Sequence, residues 1–183
     1  MFSYELFKTE FELKQIKFQK NMGLSRDNIN KNKRFTLEYW CDEGSSEISV
    51  ELYTDEPLSK FIQDEVATLD DILNNTEGLI QNTKLFAGMI FDESIGVGKS
   101  GMLKGYQATS YFEKSAKKFL QEDRWLVEIY CKQGQKGFAM NGLNGKGFTK
   151  YPEEHEYLLP RNQKYIVISK DTKNQRAKIL LID

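Results

Sequence analysis

The chain has 183 residues, 39% of them hydrophobic and 13% aromatic, which is enough for one well-buried core and short for two. Its 26 basic and 27 acidic residues leave a net charge of -1, so the composition gives no general attraction to nucleic acid or acidic membranes. Two cysteines and one histidine, without metal-ligand spacing, argue against a zinc site or a disulfide framework, and we expect no metal.

No stretch has the apolar length of a signal peptide or of a membrane span. We therefore expect a single domain, residues 1–183, that acts in a reducing cytoplasm without contacting a membrane. Its first part, residues 1–80, is expected to be mainly helical, and residues 81–183 mainly strand.

The first eighty residues favour helices. Apolar residues between 3 and 21 recur near the helical period, which predicts a first helix, and the polar residues 22–33 predict a connection. Residues 34–42 fit a helix or a strand, and residues 47–53 alternate as a strand would. After Pro57, apolar residues recur at helical spacing through Leu73, which predicts a helix with one buried face.

Beyond residue 81 the pattern changes to short strands. Residues 112–120 predict one helix among them, and residues 92–104 predict a loop whose Gly98-Lys99-Ser100 lacks the glycine spacing of a phosphate-binding loop. Helices followed by strands favour an α+β domain over alternating βαβ units. The predicted strands are residues 84–91, 105–110, 125–131, 137–143, 156–159, 165–169 and 177–182.

Two carboxylates stand two residues apart where one apolar strand is predicted to begin. Successive side chains on a strand point to opposite faces, so Glu154 and Glu156 would share a face about 6.5–7 Å apart, with His155 pointing away. Two like charges on one face either lie in free solvent or serve a cation or a developing positive charge. A bare Glu-x-Glu is most often a solvated start of a strand, so the pair alone leaves both interpretations open.

The flanking residues resemble a motif of the mono-ADP-ribosyltransferases of the Arg-Ser-Glu type. In that family a loop leads into Glu-x-Glu, a hydrophobic residue and Leu-Leu-Pro-Arg, and residues 154–161 read Glu-His-Glu-Tyr-Leu-Leu-Pro-Arg. The family's second motif, an aromatic residue, a variable residue and Ser-Thr-Ser before a helix, is similar to Tyr-Gln-Ala-Thr-Ser at 106–110. Its third, Leu-aromatic-Arg-Gly on the first strand, is similar to Leu-Phe-Ala-Gly at 85–88.

Two positions depart from this pattern, and both hold alanine. Ala87 stands where the family has the arginine that binds the NAD phosphates, and Ala108 where its first motif serine hydrogen-bonds the catalytic glutamate. Loss of a charge-assisted contact worth about 1.5–3 kcal/mol predicts NAD binding weaker by roughly one to two orders of magnitude. Thr109 is the expected scaffold hydroxyl, whereas Ser110, three residues before Glu113, fits a helix cap better than a cofactor contact.

The resemblance implies an enzyme that transfers ADP-ribose from NAD, its substrate, to an arginine of a target protein and releases nicotinamide, as bacterial toxins and phage enzymes do. Glu156 would stabilise the oxocarbenium-like sugar, and Glu154 would orient and help deprotonate the acceptor. Gly88 would lie at the NAD site, and Phe138 is a candidate to stack on nicotinamide, although an aromatic residue on a strand is more often core.

The fold that the resemblance implies is α+β, with N-terminal helices followed by two short, roughly perpendicular β-sheets that enclose the NAD cleft. Because the family has helix, loop and helix ahead of the sheets, we favour helix for residues 34–53. The expected partners are NAD and a target protein with an accessible arginine.

Two other functions stay open. The alanines at 87 and 108 also fit a non-catalytic relative that keeps the fold to bind NAD or a protein partner, in which case this sequence would be inactive. The third interpretation is an unrelated binding module, with the Glu-x-Glu strand as a solvated edge. A cleft flanked by Thr109 and Glu156 would exclude it.

Overall fold

Helices precede strands along the chain, which confirms the α+β class. A computed structural model describes residues 4–54, 56–143 and 146–182, with side chains from residue 8 onward. Within these residues, no helix is both long enough and apolar enough to cross a bilayer. The helices of the first part are α1 (Tyr4–Asn21), α2 (Lys31–Tyr39), α3 (Ser45–Tyr53) and α4 (Lys60–Asn74).

A π-helical segment, Trp40–Gly44, joins α2 to α3 without a break, and we call it the π turn. The helix favoured for residues 34–53 is therefore confirmed. The strand-like alternation of residues 47–53 is misleading. A strand would place Ile48 and Val50 on the same face, but Ile48 is buried and Val50 is 65% exposed. Gly44 permits this turn, since a Cβ there would lie 2.5 Å from the Tyr39 ring and 2.8 Å from the Tyr39 carbonyl oxygen.

In the described part of the chain, eight strands form one hydrogen-bonded sheet in the order β2-β7-β8-β4-β1-β3-β6-β5. All the described neighbours are antiparallel except β4 and β8. A short helix, α5 (Glu113–Lys117), follows β3. The strands are β1 (Thr83–Met89), β2 (Ser100–Leu103), β3 (Gln107–Ser110), β4 (Trp125–Cys131), β5 (Phe138–Ala139), β6 (Glu156–Leu159), β7 (Gln163–Asp171) and β8 (Arg176–Ile182).

The sheet consists of two parts with a narrow junction. Strand β1 meets β3 through one residue pair, Phe86 and Ser110, whereas it meets β4 along its whole length. The two sheets that the resemblance implies are thus two parts of a single sheet, five strands from β2 to β1 and three strands from β3 to β5. The three-strand part carries the Glu-x-Glu motif.

Two strand predictions need correction. Residues 100–103 form β2 rather than part of a loop, because they pair with β7, which lies far along the chain and leaves no local signal. The strand expected over residues 137–143 shortens to Phe138–Ala139. There the side chain of Gln19 in α1 accepts a hydrogen bond from the Ala139 N–H at 2.8 Å and donates one to the Ala139 carbonyl at 3.2 Å. The side-chain amide thus forms the hydrogen bonds that a neighbouring strand would form.

Strand β6 separates two apolar cores. Tyr157 and Leu159 pack into a core beneath α1, whereas Leu158 packs into a second core beneath α2 and α4. By the alternation of a strand, Glu156 lies on the face of Leu158 and is directed toward the helices. Helix α4 forms much of that second core through Ile62, Val66, Leu69, Ile72 and Leu73.

Arg161, at the end of β6, is tied to α4. Its Nε and Nη2 donate to the Asp70 carboxylate at 2.6–3.1 Å, and the Tyr106 hydroxyl donates to the same carboxylate at 2.7 Å. A bidentate pair of this kind, about one-third exposed, stabilises more than a surface ion pair does.

We expect Arg161→Ala to lower the free energy of unfolding by about 1–2 kcal/mol, because Asp70 loses its paired donors. Urea denaturation would measure the loss. Arg34→Ala is the matched control, since it removes a more exposed pair with Glu38 within one helix and should cost at most about 0.5 kcal/mol. Equal losses in the two variants would contradict a structural role for Arg161.

Candidate active site

Glu154 and Glu156 lie on different elements. Pro152–Glu154 form a 3-10 turn, β6 begins at Glu156, and His155 between them is left-handed, with φ 50°. The alternation of side chains along a strand therefore does not apply to these two carboxylates. The prediction that one strand carries both on the same face is wrong. They still interact, because the charge of Glu154 contributes to the raised pKa of Glu156.

Glu156 is a carboxylate held almost out of water, with 8% of the residue exposed. Its described side-chain partners are the Trp40 Nε1–H, 3.0 Å from Oε1, and the Cys41 Sγ, 4.0 Å from Oε2. Burial raises the pKa of Glu156 to about 7, the charge of Glu154 adds to the rise, and the Trp40 hydrogen bond opposes it. This group therefore changes its charge near neutral pH.

Both partners of Glu156 come from the π turn, which sequence reasoning did not connect with the site. Trp40 is 2% exposed and packs edge-on against Tyr106, with ring centroids 5.6 Å apart. Burial and the charges of Glu156 and Glu154 raise the pKa of the Cys41 thiol, so it stays protonated and can act as a donor. No local pattern reveals a contact between residues so far apart in the chain.

Two serines hold the backbone of the 3-10 turn. The Ser110 hydroxyl donates to the Glu154 carbonyl at 2.6 Å, and the Ser115 hydroxyl donates to the Glu153 carbonyl at 3.0 Å. The predicted cap is wrong, because the residue that precedes α5 is Phe112, whose N–H the Ser110 oxygen accepts at 3.1 Å. Ser110 thus orients the segment that carries Glu154.

The structure separates Thr109 from Glu156. Cross-strand partners share a face, and Ser110 is paired with Glu156, so Thr109 faces the other side of the sheet. It is 4% exposed and donates to the Tyr157 carbonyl. The expectation of a scaffold hydroxyl beside Glu156 fails for this reason. Ala108 lies on the same face as Glu156, with an exposed side chain.

Ala87 also lies away from Glu156. Phe86 is paired with Ser110 and so shares its face, whereas Ala87 points the opposite way, into the core beneath α1, and is 1% exposed. Gly88 has a packing role, because a Cβ there would lie 2.9 Å from the Ala116 carbonyl oxygen of α5. The register thus turns Ala87 away from the face of Glu156, and Gly88 packs closely against α5.

Phe138 is part of the core. It is fully buried and packs edge-on against Phe148, with ring centroids 5.5 Å apart. In this structure its ring is therefore not accessible to nicotinamide. Phe138 is thus a core residue, as an aromatic residue on a strand more often is.

Helix α1 is tied to the same segment, a link that sequence reasoning missed. Glu12, itself buried, lies 2.6 Å through Oε2 from His155 Nδ1, and its Oε1 accepts from Asn141 Nδ2 at 2.7 Å. Asn141 Nδ2 also donates to the Pro152 carbonyl at 2.9 Å. In the described part of the chain, no group of three His, Cys, Asp or Glu side chains could hold a metal ion.

The sequence profile of the ADP-ribosyltransferase exoenzymes matches residues 8–183, which includes every residue described at this site. The chain belongs to this exoenzyme family. No sequence among curated proteins matches it. Family membership therefore rests on the profile, and the likeness to solved structures bears on the fold.

Solved ADP-ribosyltransferases share the fold of this exoenzyme-family chain over nearly its whole length. C3stau2 from S. aureus, solved with NAD, has a TM-score of 0.76 at 17% identity, over 100% of this chain and 97% of that one. Plx2a from Paenibacillus larvae, a toxin, has a TM-score of 0.72 at 16% identity, over 96% and 95%. Vis from Vibrio splendidus, in complex with agmatine, has a TM-score of 0.71 at 16% identity, over 100% and 87%.

Proposed function

We propose that this protein transfers ADP-ribose from NAD to an arginine side chain of a target protein and releases nicotinamide, as an enzyme of the Arg-Ser-Glu type. Family membership supports the transferase class. C3stau2 was solved with NAD, and Vis with agmatine, a guanidinium compound. These ligands suggest the donor and the acceptor chemistry of the present chain.

The observation that carries the proposal is the burial of Glu156 without a described ion-pair partner. Removing a carboxylate from water costs several kcal/mol unless it is neutralised, so a fold gains nothing from placing one there. A buried acid with a strongly raised pKa is typical of a catalytic group. Here burial and the pKa of about 7 coincide at the glutamate that the motif designates.

The chemistry follows from charge. Loss of nicotinamide leaves an oxocarbenium-like ribose, which an ionised carboxylate stabilises in a site that excludes water. Glu156 supplies this charge, and we expect activity to rise with pH through about 7 as it ionises.

Glu154 is suited to the acceptor. It is partly buried, and burial followed by the charge of Glu153 raises its pKa, which makes its carboxylate a better base than an exposed one. We propose that it orients the incoming guanidinium and helps to deprotonate it. Ser110 fixes the backbone at this residue, so Glu154 is held in place independently of its own side chain.

A non-catalytic role in binding NAD or a protein partner is the second candidate, and two observations favour it. The Trp40 indole donates a hydrogen bond to Glu156, and only 8% of Glu156 is exposed. Ala87 and Ala108 supply neither the cation nor the hydroxyl of the motif. Both observations are consistent with weakened use of NAD.

The test is to incubate the protein with NAD, with and without agmatine as a guanidinium acceptor, and to measure nicotinamide release between pH 5.5 and 8.5. The enzyme interpretation predicts release that agmatine increases, together with an ADP-ribosylated agmatine product. Calorimetry for NAD is run in parallel. NAD binding without release at any pH would overturn the enzyme in favour of the second candidate.

A further inference from the structure

The contact between Trp40 and Glu156 is a hydrogen bond between two buried side chains. The indole Nε1–H donates to Oε1 at 3.0 Å, both residues are at least nine-tenths buried, and their elements are far apart in sequence. A hydrogen bond to a carboxylate in a dry environment is strong and directional, because water does not compete for either group.

The π turn is what presents this donor. A π-helical turn carries one more residue than an α-helical turn, and such insertions are frequent at functional sites. Here Trp40 and the next residue, Cys41, both reach the carboxylate of Glu156. Asp42 of the same turn forms an ion pair with Lys150 at 2.5 Å, near the segment that carries the two glutamates. Gly44 gives the turn room to pack.

We propose that Trp40 is a positioning residue for Glu156: its indole N–H fixes the orientation of the carboxylate and favours its ionised form. This inference rests on the proposed function in one respect, that Glu156 is the catalytic carboxylate. Ala108 on β3 lacks the hydroxyl that the family motif has at this position, and Trp40 supplies a donor to Glu156 from the π turn.

The first experiment does not require activity. The chain has two tryptophans, so the two indole N–H signals in a nitrogen-15 correlation spectrum are assigned with Trp40→Phe. The Trp40 signal is expected to shift with pH with a midpoint near 7, following the ionisation of Glu156. In Glu156→Gln this titration should disappear. A Trp40 signal that ignores pH in the wild type would overturn the proposal.

The second experiment removes the donor and keeps an aromatic ring. In Trp40→Phe the pKa of Glu156, read from its carboxyl carbon-13 shift, should rise by about one unit or more, because a hydrogen bond to the ionised form is lost. The pH profile of nicotinamide release should move by the same amount, and kcat should fall about tenfold or more at pH 7, with a smaller change in KM for NAD.

Two further variants distinguish a positioning role of Trp40 from a general loss of structure. Trp125→Phe changes the other tryptophan, which packs with Phe91 in the opposite core, and should leave the pKa of Glu156 unchanged. Ala108→Ser introduced into Trp40→Phe places a hydroxyl on the face of Glu156 and should restore the lower pKa. An unchanged pKa in Trp40→Phe would overturn the positioning role. Absence of turnover in the wild type, with the titration of Trp40 intact, would instead overturn only the proposed function.

Discussion

Replacing Glu156 with glutamine is expected to abolish nicotinamide release and, at the same time, to make the folded protein more stable above pH 7. The loss of activity should be at least about a hundredfold, because the charge that stabilises the cationic sugar is removed. NAD affinity should change little, since that charge acts mainly in the transition state.

The gain in stability follows from the sign of the pKa shift. Folding raises the pKa of Glu156 from 4.5 to about 7, so between these values the folded state binds more protons than the unfolded state. The contribution of this residue to stability is then present at pH 4.5 and below, and it is lost as the pH rises through 7. The cost at pH 8 amounts to about 3 kcal/mol, and glutamine avoids it while keeping an acceptor for Trp40.

Urea denaturation of the wild type and of Glu156→Gln at pH 5 and pH 8 measures this effect. The difference in the free energy of unfolding should be larger at pH 8. Glu153→Gln is the matched control, because its side chain is 58% exposed and lies in the 3-10 turn just before β6, and it should show no comparable gain. A variant that is inactive and also less stable at pH 8 would point to a structural role for the carboxylate.

Replacing Glu154 with glutamine is expected to slow the transfer of ADP-ribose much more than the hydrolysis of NAD. Transfer of ADP-ribose to agmatine should fall about a hundredfold, because general-base assistance to the guanidinium is lost. Hydrolysis of NAD, in which water replaces the acceptor, should stay within a few-fold of the wild-type rate. Ser110 holds the backbone carbonyl of Glu154, so the turn itself is expected to survive the change.

The measurement is the ratio of ADP-ribosylated agmatine to free ADP-ribose at equal nicotinamide release. This ratio should drop in Glu154→Gln and should change much less in Glu153→Gln, which keeps the base and removes only the smaller cause of its raised pKa. An unchanged ratio in Glu154→Gln would contradict the division of labour between the two glutamates.

The parts of the fold that could be predicted are those with a local cause. Helix α4 buries one regular row of apolar residues, and most strands carry enough apolar residues to be recognised. Glu154 and Glu156 were identified through a short contiguous motif. The pairing of β2 with β7 escaped prediction because the partners are distant in sequence and the strand itself is mostly exposed.

The remainder of the site depends on which side of a strand each residue faces. Thr109 and Ala108 are neighbours in one motif, yet the register puts them on opposite faces, and only Ala108 shares the face of Glu156. Trp40 and Glu12 reach the Glu-x-Glu segment from helices more than a hundred residues earlier. Such contacts are set by packing, so no pattern within one segment could indicate them.

The amide of Gln19 has a consequence for the solubility of the chain. Strand β5 lies at an edge of the sheet, where free N–H and carbonyl groups are a template for another strand. Gln19 occupies both groups of Ala139, so a side chain of α1 closes this edge to a second molecule. The first helix thus protects the sheet against edge-to-edge aggregation. A truncation that removed this helix would expose the edge of the sheet to self-association.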